Sequence, residues 1–68
     1  MPQSNRIPAP GEVWRKSSRE RHVLEVQTTN RGVYVRYQTP TDKRRGDETF
    51  LRLDWWQKWA EGAEVVKV

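Results

Sequence analysis

The chain has 68 residues, no cysteine and a formal charge of +4, so it is one small domain with neither a disulfide framework nor a thiolate metal site. Leu, Ile, Val and Phe supply only 13 of the 68 residues, a share that borders on the disordered range. Four tryptophans and clean alternation argue for a fold, because each buried indole removes a large area from water.

In chain order, residues 1–10, MPQSNRIPAP, carry three prolines and read as a flexible lead-in, or as a strap laid over the domain through Ile7. Pro10-Gly11 is a turn signal that opens the folded part, residues 11–68. Residues 12–15 read as a short first strand, 17–20 as a polar turn and 21–29 as a second strand. There Leu24 and Val26 share one face and Val23 and Glu25 the other. Asn30-Arg31-Gly32 reads as a hairpin loop in which Asn and Gly take positive φ. Residues 33–38 are the cleanest alternation in the chain, with Val33, Val35 and Tyr37 on one face. Residues 39–47, TPTDKRRGD, read as a loop by composition, and 48–53 as a fourth strand with Leu51 and Leu53 inward.

The closing stretch, 48–68, organises the rest. Asp54 reads as a helix N-cap with Gln57 reaching back to it, and Gly62 as a left-handed stop. Between them Trp56, Trp59 and Ala60 fall on one face of a two-turn helix, and Trp55 points away. So short a helix needs its tryptophans pressed on an apolar surface. Residues 63–68 read as the last strand. The expected core is Val13, Leu24, Val26, Val33, Val35, Leu51, Leu53, Val66 and some of the tryptophans.

The expected fold is therefore mainly β, five short strands in a meander with one short helix before the last. Closure into a barrel would remove the exposed edges of so small a sheet. That order resembles the Src-homology-3-like (SH3-like) small barrel over residues 11–68. The likeness is carried by Pro10-Gly11-Glu12-Val13-Trp14, Val33-Tyr34-Val35-Arg36-Tyr37 and Phe50-Leu51-Arg52-Leu53. The same residues resemble short uncharacterised proteins encoded by phages and prophages, which often open with a Gly-x-Val-Trp strand. The resemblance implies a bacterial or phage-infected host cell. It implies no ligand: the aromatic and acidic groove pattern of peptide-binding members is absent, and the segment between the first two strands is too short for their acidic loop.

Catalytic chemistry finds little to work with. His22 is the one histidine and reads as a surface residue, Ser17 and Ser18 as a polar turn. Asp47 and Glu48 beside Arg44 and Arg45 read as a solvated ionic cluster. No phosphate-binding glycine loop and no metal-ligand spacing occurs, so neither a cofactor nor a metal is expected. No run has the length of a membrane helix or a signal-peptide core, and the expected location is the cytoplasm.

Charge is uneven. Residues 1–46 hold ten Lys/Arg against four Asp/Glu, and residues 47–68 hold three against five. Arg15, Lys16, Arg19 and Arg21 flank the first turn, and Lys43, Arg44 and Arg45 sit in the third connection. In a meander both connections lie at the same end of the sheet. The expectation is a non-enzymatic module whose Arg15, Lys16, Arg19, Arg36, Lys43, Arg44 and Arg45 track nucleic-acid phosphates, with Tyr34 and Trp14 as stacking surfaces. The bland reading of these cations is solubility and edge protection. The alternative function is a protein-interaction module or homodimer anchored by Trp55 with Tyr34 and Trp14.

Overall fold

The computed structural model describes residues 6–67. Five strands and two short helices follow in the order β1 (Val13–Lys16), β2 (Arg19–Thr29), β3 (Gly32–Gln38), α1 (Pro40–Arg45), β4 (Thr49–Arg52), α2 (Leu53–Trp59) and β5 (Glu64–Lys67). The sheet is antiparallel throughout, in the order β4-β3-β2-β1-β5. Its edges, β4 and β5, do not pair with each other.

The sheet is thus open, and the expected closed SH3-like barrel is corrected to a five-stranded open sheet with two helices. The likeness to short phage and prophage proteins, carried by the same residues, is withdrawn with it. The physical reason lies in α2. The helix leaves the end of β4 at one edge and the chain re-enters the sheet as β5 at the other. Its indoles cover the core face that strand closure would otherwise seal.

That core is built from rings. Trp14 and Trp56 are wholly buried, beside Val23, Val35, Tyr37, Ala60 and Ala63, with Val26, Leu51, Leu53, Trp59 and Val65 packed around them. Trp56 is the hub. Its ring centroid lies 5.7 Å from Trp14, 5.3 Å from Tyr37 and 5.2 Å from Trp59, all at steep interplanar angles. The pairs with Trp14 and Tyr37 are edge-to-face and that with Trp59 is tilted; an edge-to-face pair adds about 0.5–1.5 kcal/mol beyond the area it buries. The expected shared face of Trp56, Trp59 and Ala60 is the face that meets the sheet, while Trp55 stays 56 % exposed.

Residues 6–12 are held to the sheet by a buried carboxylate. Glu12 pairs with the Arg6 guanidinium and accepts hydrogen bonds from the Ala9 amide at 2.7 Å and the Trp14 indole at 3.1 Å. Gly11 and Glu12 also exchange backbone bonds with Val23. Ahead of Glu12, Pro8 and not Ile7 is the buried residue. Residues 1–5 of the expected lead-in lie outside the described residues.

Several local expectations are corrected. First, β2 carries a bulge: Val23 stands opposite Tyr37 but Glu25 opposite Arg36, so Leu24 is an extra residue. The bulge resets the alternation. It puts Val23 and Val26 together on the core face, whereas strict alternation places Leu24 with Val26. Second, residues 39–47 hold a helix. Thr39 Oγ1 accepts from the Asp42 amide while the Asp42 carboxylate accepts from the Thr39 amide, with Pro40 at the first helical position. Gly46 ends the helix at φ 74°, a left-handed turn that suits glycine. Third, α2 starts at Leu53 with Arg52 as N-cap and no capping side chain. Asp54 sits inside the first turn and bonds the amide of Trp55 at 3.0 Å. At the hairpin loop, Gly32 takes the positive φ expected of it and Asn30 does not.

At the closing strand, Val65 stands opposite Trp14 and joins the core, leaving Val66, expected inward, exposed. Val65→Thr should therefore lower stability by about 1–2 kcal/mol by placing a hydroxyl against the rings. Val66→Thr should stay within about 0.5 kcal/mol of the parent. Paired urea titrations of the two variants read the difference, and the reverse ranking would refute this register.

Candidate functional site

The β1–β2 turn and α1 meet at one end of the sheet. Lys16 pairs with Arg19, which leaves Ser17 and Ser18 as a tight turn, and Ser17 takes a left-handed φ of 56°. α1 follows directly from β3, which pairs with β2, so its first residues come back beside that turn. Between them lies a cleft of about 430 Å³ lined by Ser18, Arg19, Glu20, Arg21, Thr39, Pro40, Thr41 and Trp59.

Arg21 is the unusual group in it. In β2 it stands opposite Trp14 and in phase with Val23, so its stem enters from the core face. The guanidinium lies 4.0 Å from the Trp59 ring centroid, 4.7 Å from Tyr37 and 5.5 Å from Trp56. Nη1 is buried and has no hydrogen-bond partner among the described residues, and no carboxylate there pairs with the group. Burial pulls its pKa below the ordinary arginine value; the Tyr37 hydroxyl acts the other way, and the positive charge of Arg19 adds to the lowering. An arginine remains a cation through the working pH range of proteins. A cation held against rings gains about 2 kcal/mol when desolvated, which offsets part of what its lost hydration costs. Tyr37 in turn is pushed up, by burial first, with the Arg21 charge opposing.

Hydroxyl groups line the opposite wall. Thr39 Oγ1 accepts from the Asp42 amide at 3.1 Å, and Thr41 Oγ1 accepts from Arg44 Nη2 at 3.3 Å. In both, the oxygen is used as an acceptor and the O–H remains to be donated. Glu20 is the one carboxylate lining the cleft. By register it shares the outer face with Arg15, and its Oε1 meets His22 Nε2 at 3.2 Å.

The expected cationic residues divide into two groups. Arg36 is taken up by Glu48 at 2.8 Å and Glu25 at 3.1 Å, and these bonds, Glu48 first, hold its pKa above the ordinary value. Arg15 reaches Glu64 at 3.5 Å, and Lys16 Nζ donates to the Trp59 carbonyl at 2.9 Å, where it closes the end of α2. These three point to partners within the fold. Arg19 and Arg45 are exposed. Among the described residues Arg44 is bonded only to Thr41, and Lys43 Nζ meets His22 Nδ1 at 3.0 Å, a contact that ties α1 to β2. Thus Arg19 and Arg21 line the cleft, and Lys43, Arg44 and Arg45 lie farther along α1, past its lining residues Thr39, Pro40 and Thr41. His22 is partly buried between Glu20 and Lys43 rather than free on the surface.

The aromatic candidates separate likewise. Trp14 lies in the core and presents no surface. Tyr34 lies on the outer sheet face, half-buried, opposite Gln27 and Arg52. Trp55 is exposed, with Lys58 Nζ 5.6 Å from its ring. Among the described residues, no group of His, Asp or Glu is placed to hold a metal ion, and no helix is long and apolar enough to cross a membrane. Comparison with protein-family models, curated proteins and solved structures finds no match.

Asp42 ties the cleft wall together, accepting from the Thr39 amide at 3.2 Å and the Thr49 hydroxyl at 3.1 Å. The Thr39 amide bond is the main cause that lowers its pKa, with the Thr49 bond and the Arg45 charge contributing. A carboxyl depressed in the folded state stabilises it above the unfolded value of about 3.9, and that contribution is lost as pH falls through the lower folded value. Thermal midpoints measured downward from about pH 5 should therefore fall more steeply for the parent than for Asp42→Asn. Equal slopes would remove Asp42 as the acid-sensitive group of this wall.

Proposed function

We propose that the chain is a non-enzymatic binding module that docks the phosphate backbone of a nucleic acid on the end of the sheet formed by the β1–β2 turn and α1. One observation carries the reading: two basic connections far apart in sequence meet around a cleft, and Arg21 inside it has no carboxylate partner among the described residues. The groups assigned to docking are Arg19, Arg21, Lys43, Arg44 and Arg45. Arg15, Lys16 and Arg36, each engaged within the fold, drop out, as does Trp14, which is buried. Cations of this kind position a backbone and read little sequence.

A second reading keeps one observation of its own. Trp55 and Phe50 are 56 % and 55 % exposed, and exposed aromatics of that size are the usual anchors of a protein interface. In that reading Trp55 contacts a partner protein or a second copy, and the size of the protein in solution rises with concentration.

Binding of labelled single-stranded and duplex oligonucleotides should be saturable and should weaken linearly on a log–log salt plot. Five phosphate contacts give a slope of about −3.5 on single strands and −4.5 on duplex. Arg44→Ala should weaken all sequences alike and reduce the slope by about 1. No binding at low salt sinks the proposal, and a concentration-dependent size abolished by Trp55→Ser would install the second reading in its place.

A further inference from the structure

The cleft offers more than a charged surface, and its contents define a ligand group. Arg21 is recessed, fixed by three rings, and unpaired among the described residues. Arg19 lines the cleft beside it, exposed and likewise without an acidic partner among the described residues. Around the two guanidinium groups stand the hydroxyls of Ser18, Thr39 and Thr41. Two of these already spend their oxygens as acceptors, for the Asp42 amide and Arg44, so each has a proton left to give. The cleft is therefore rich in donors. Its one lining carboxylate, Glu20, bonds His22 and is set on the other face of β2.

We infer that this cleft seats a single monoester phosphate, supplied in the nucleic-acid reading by the end of a strand. A monoester phosphate carries about 1.5 to 2 negative charges at neutral pH and three strong acceptor oxygens. Two guanidinium groups match that charge, and their donors with three hydroxyls match those oxygens. An internal phosphodiester has one charge and two free oxygens, and leaves donors of the cleft unused. A planar carboxylate does the same. Arginine suits this task because its fork bonds two oxygens of a phosphate at once, and the rings beneath Arg21 hold the fork in place before the ligand arrives, which removes an ordering cost from binding. The same chemistry admits a small phosphate monoester in solution, and the assay separates the two sources.

This inference rests on the docking reading for the identity of the ligand, but not for the existence of the site. The experiment is calorimetry, with tryptophan emission in parallel, on the full chain at low salt. The probes are inorganic phosphate and one short single-stranded oligothymidylate made with a 5′-phosphate and with a 5′-hydroxyl. The phosphorylated strand should bind roughly tenfold tighter, the worth of the added charge-assisted hydrogen bonds. Inorganic phosphate should compete with it and leave the hydroxyl form untouched. In Thr41→Val the preference should fall to near one while the salt slope is kept; Arg21→Gln should also bring the preference to near one and, with one docking cation fewer, reduce the slope by about 1. Should Arg21→Gln fail to fold, Thr41→Val and Ser18→Ala, at exposed positions, carry the test.

Equal affinity for the two strands, with salt-sensitive binding intact, overturns the inference and leaves backbone docking standing. Inorganic phosphate bound by the parent and lost in Thr41→Val, with neither strand bound, upholds the phosphate site, assigns it to a small monoester and overturns the nucleic-acid reading. Failure of all three probes overturns both.

Discussion

Everything in this fold depends on the burial of one indole, Trp56. A chain with so few aliphatic side chains cannot make a core from them, and the missing volume is supplied by rings. Trp56 contacts Trp14 from β1, Tyr37 from β3 and Trp59 from its own helix. Those contacts fix α2 against the sheet, since seven residues of helix do not stand alone. They also explain why the sheet stays open: once the helix covers the core face, nothing further is gained by closing the edges. The edges themselves are only four residues long, too short to template a long pairing with another chain.

The same packing builds the cleft. Trp59 sits at the end of α2, half-buried, and its ring reaches past Trp56 to the strand that follows the first turn. Lys16 holds the carbonyl of Trp59 from one side, and the Arg21 guanidinium lies over its ring from the other. The two cations divide the work. Lys16 neutralises the end of a helix, a place where positive charge is stabilising. Among the described residues Arg21 has no such carbonyl or carboxylate and is held by ring faces. A group so placed is stable enough to keep but is left short of acceptors, and the α1 wall, with its outward hydroxyls, stands opposite it.

Much of this was legible in the sequence, and the misses have physical causes. Trp56, Trp59 and Ala60 at helical spacing identified the buried face of α2, because two turns offer only one way to hide two indoles. The strands followed from alternation. The bulge at Leu24 was not legible, since one inserted residue preserves composition and merely shifts the phase, and only the partner strand reveals it. α1 was hidden by its composition, yet its signals are present: Thr39 and Asp42 at capping-box spacing, Pro40 at the first position, Gly46 just past the end. Asp54 gave the opposite error, a good capping residue one position inside the helix it was expected to begin. Arg21 was visible as one cation among several. Its inward direction was hidden by the same bulge, since two residues before Val23 it fell on the face opposite the expected core pair of Leu24 and Val26, and its lack of a counter-ion was hidden too, because pairing depends on which carboxylates the fold brings near.

Pairing is also what decides where binding chemistry can reside. The outer sheet face carries many charges, and they are spent on each other: Arg36 with Glu25 and Glu48, Arg15 with Glu64, His22 with Glu20, and Arg52 with Asp54 close beside it. Such a face is polar but has little field to offer a ligand, since each charge is screened by its neighbour as well as by solvent. At the cleft end the balance differs. Arg19 and Arg21 have no acidic partner there among the described residues, and Asp42, the carboxylate of α1, is turned into the Thr39 cap and the Thr49 hydroxyl rather than toward them. A net charge of +4 spread evenly would mean only solubility. Where two arginines without an acidic partner among the described residues share one recess, while much of the charge on the opposite face is paired, the excess becomes a directed attraction for an anion.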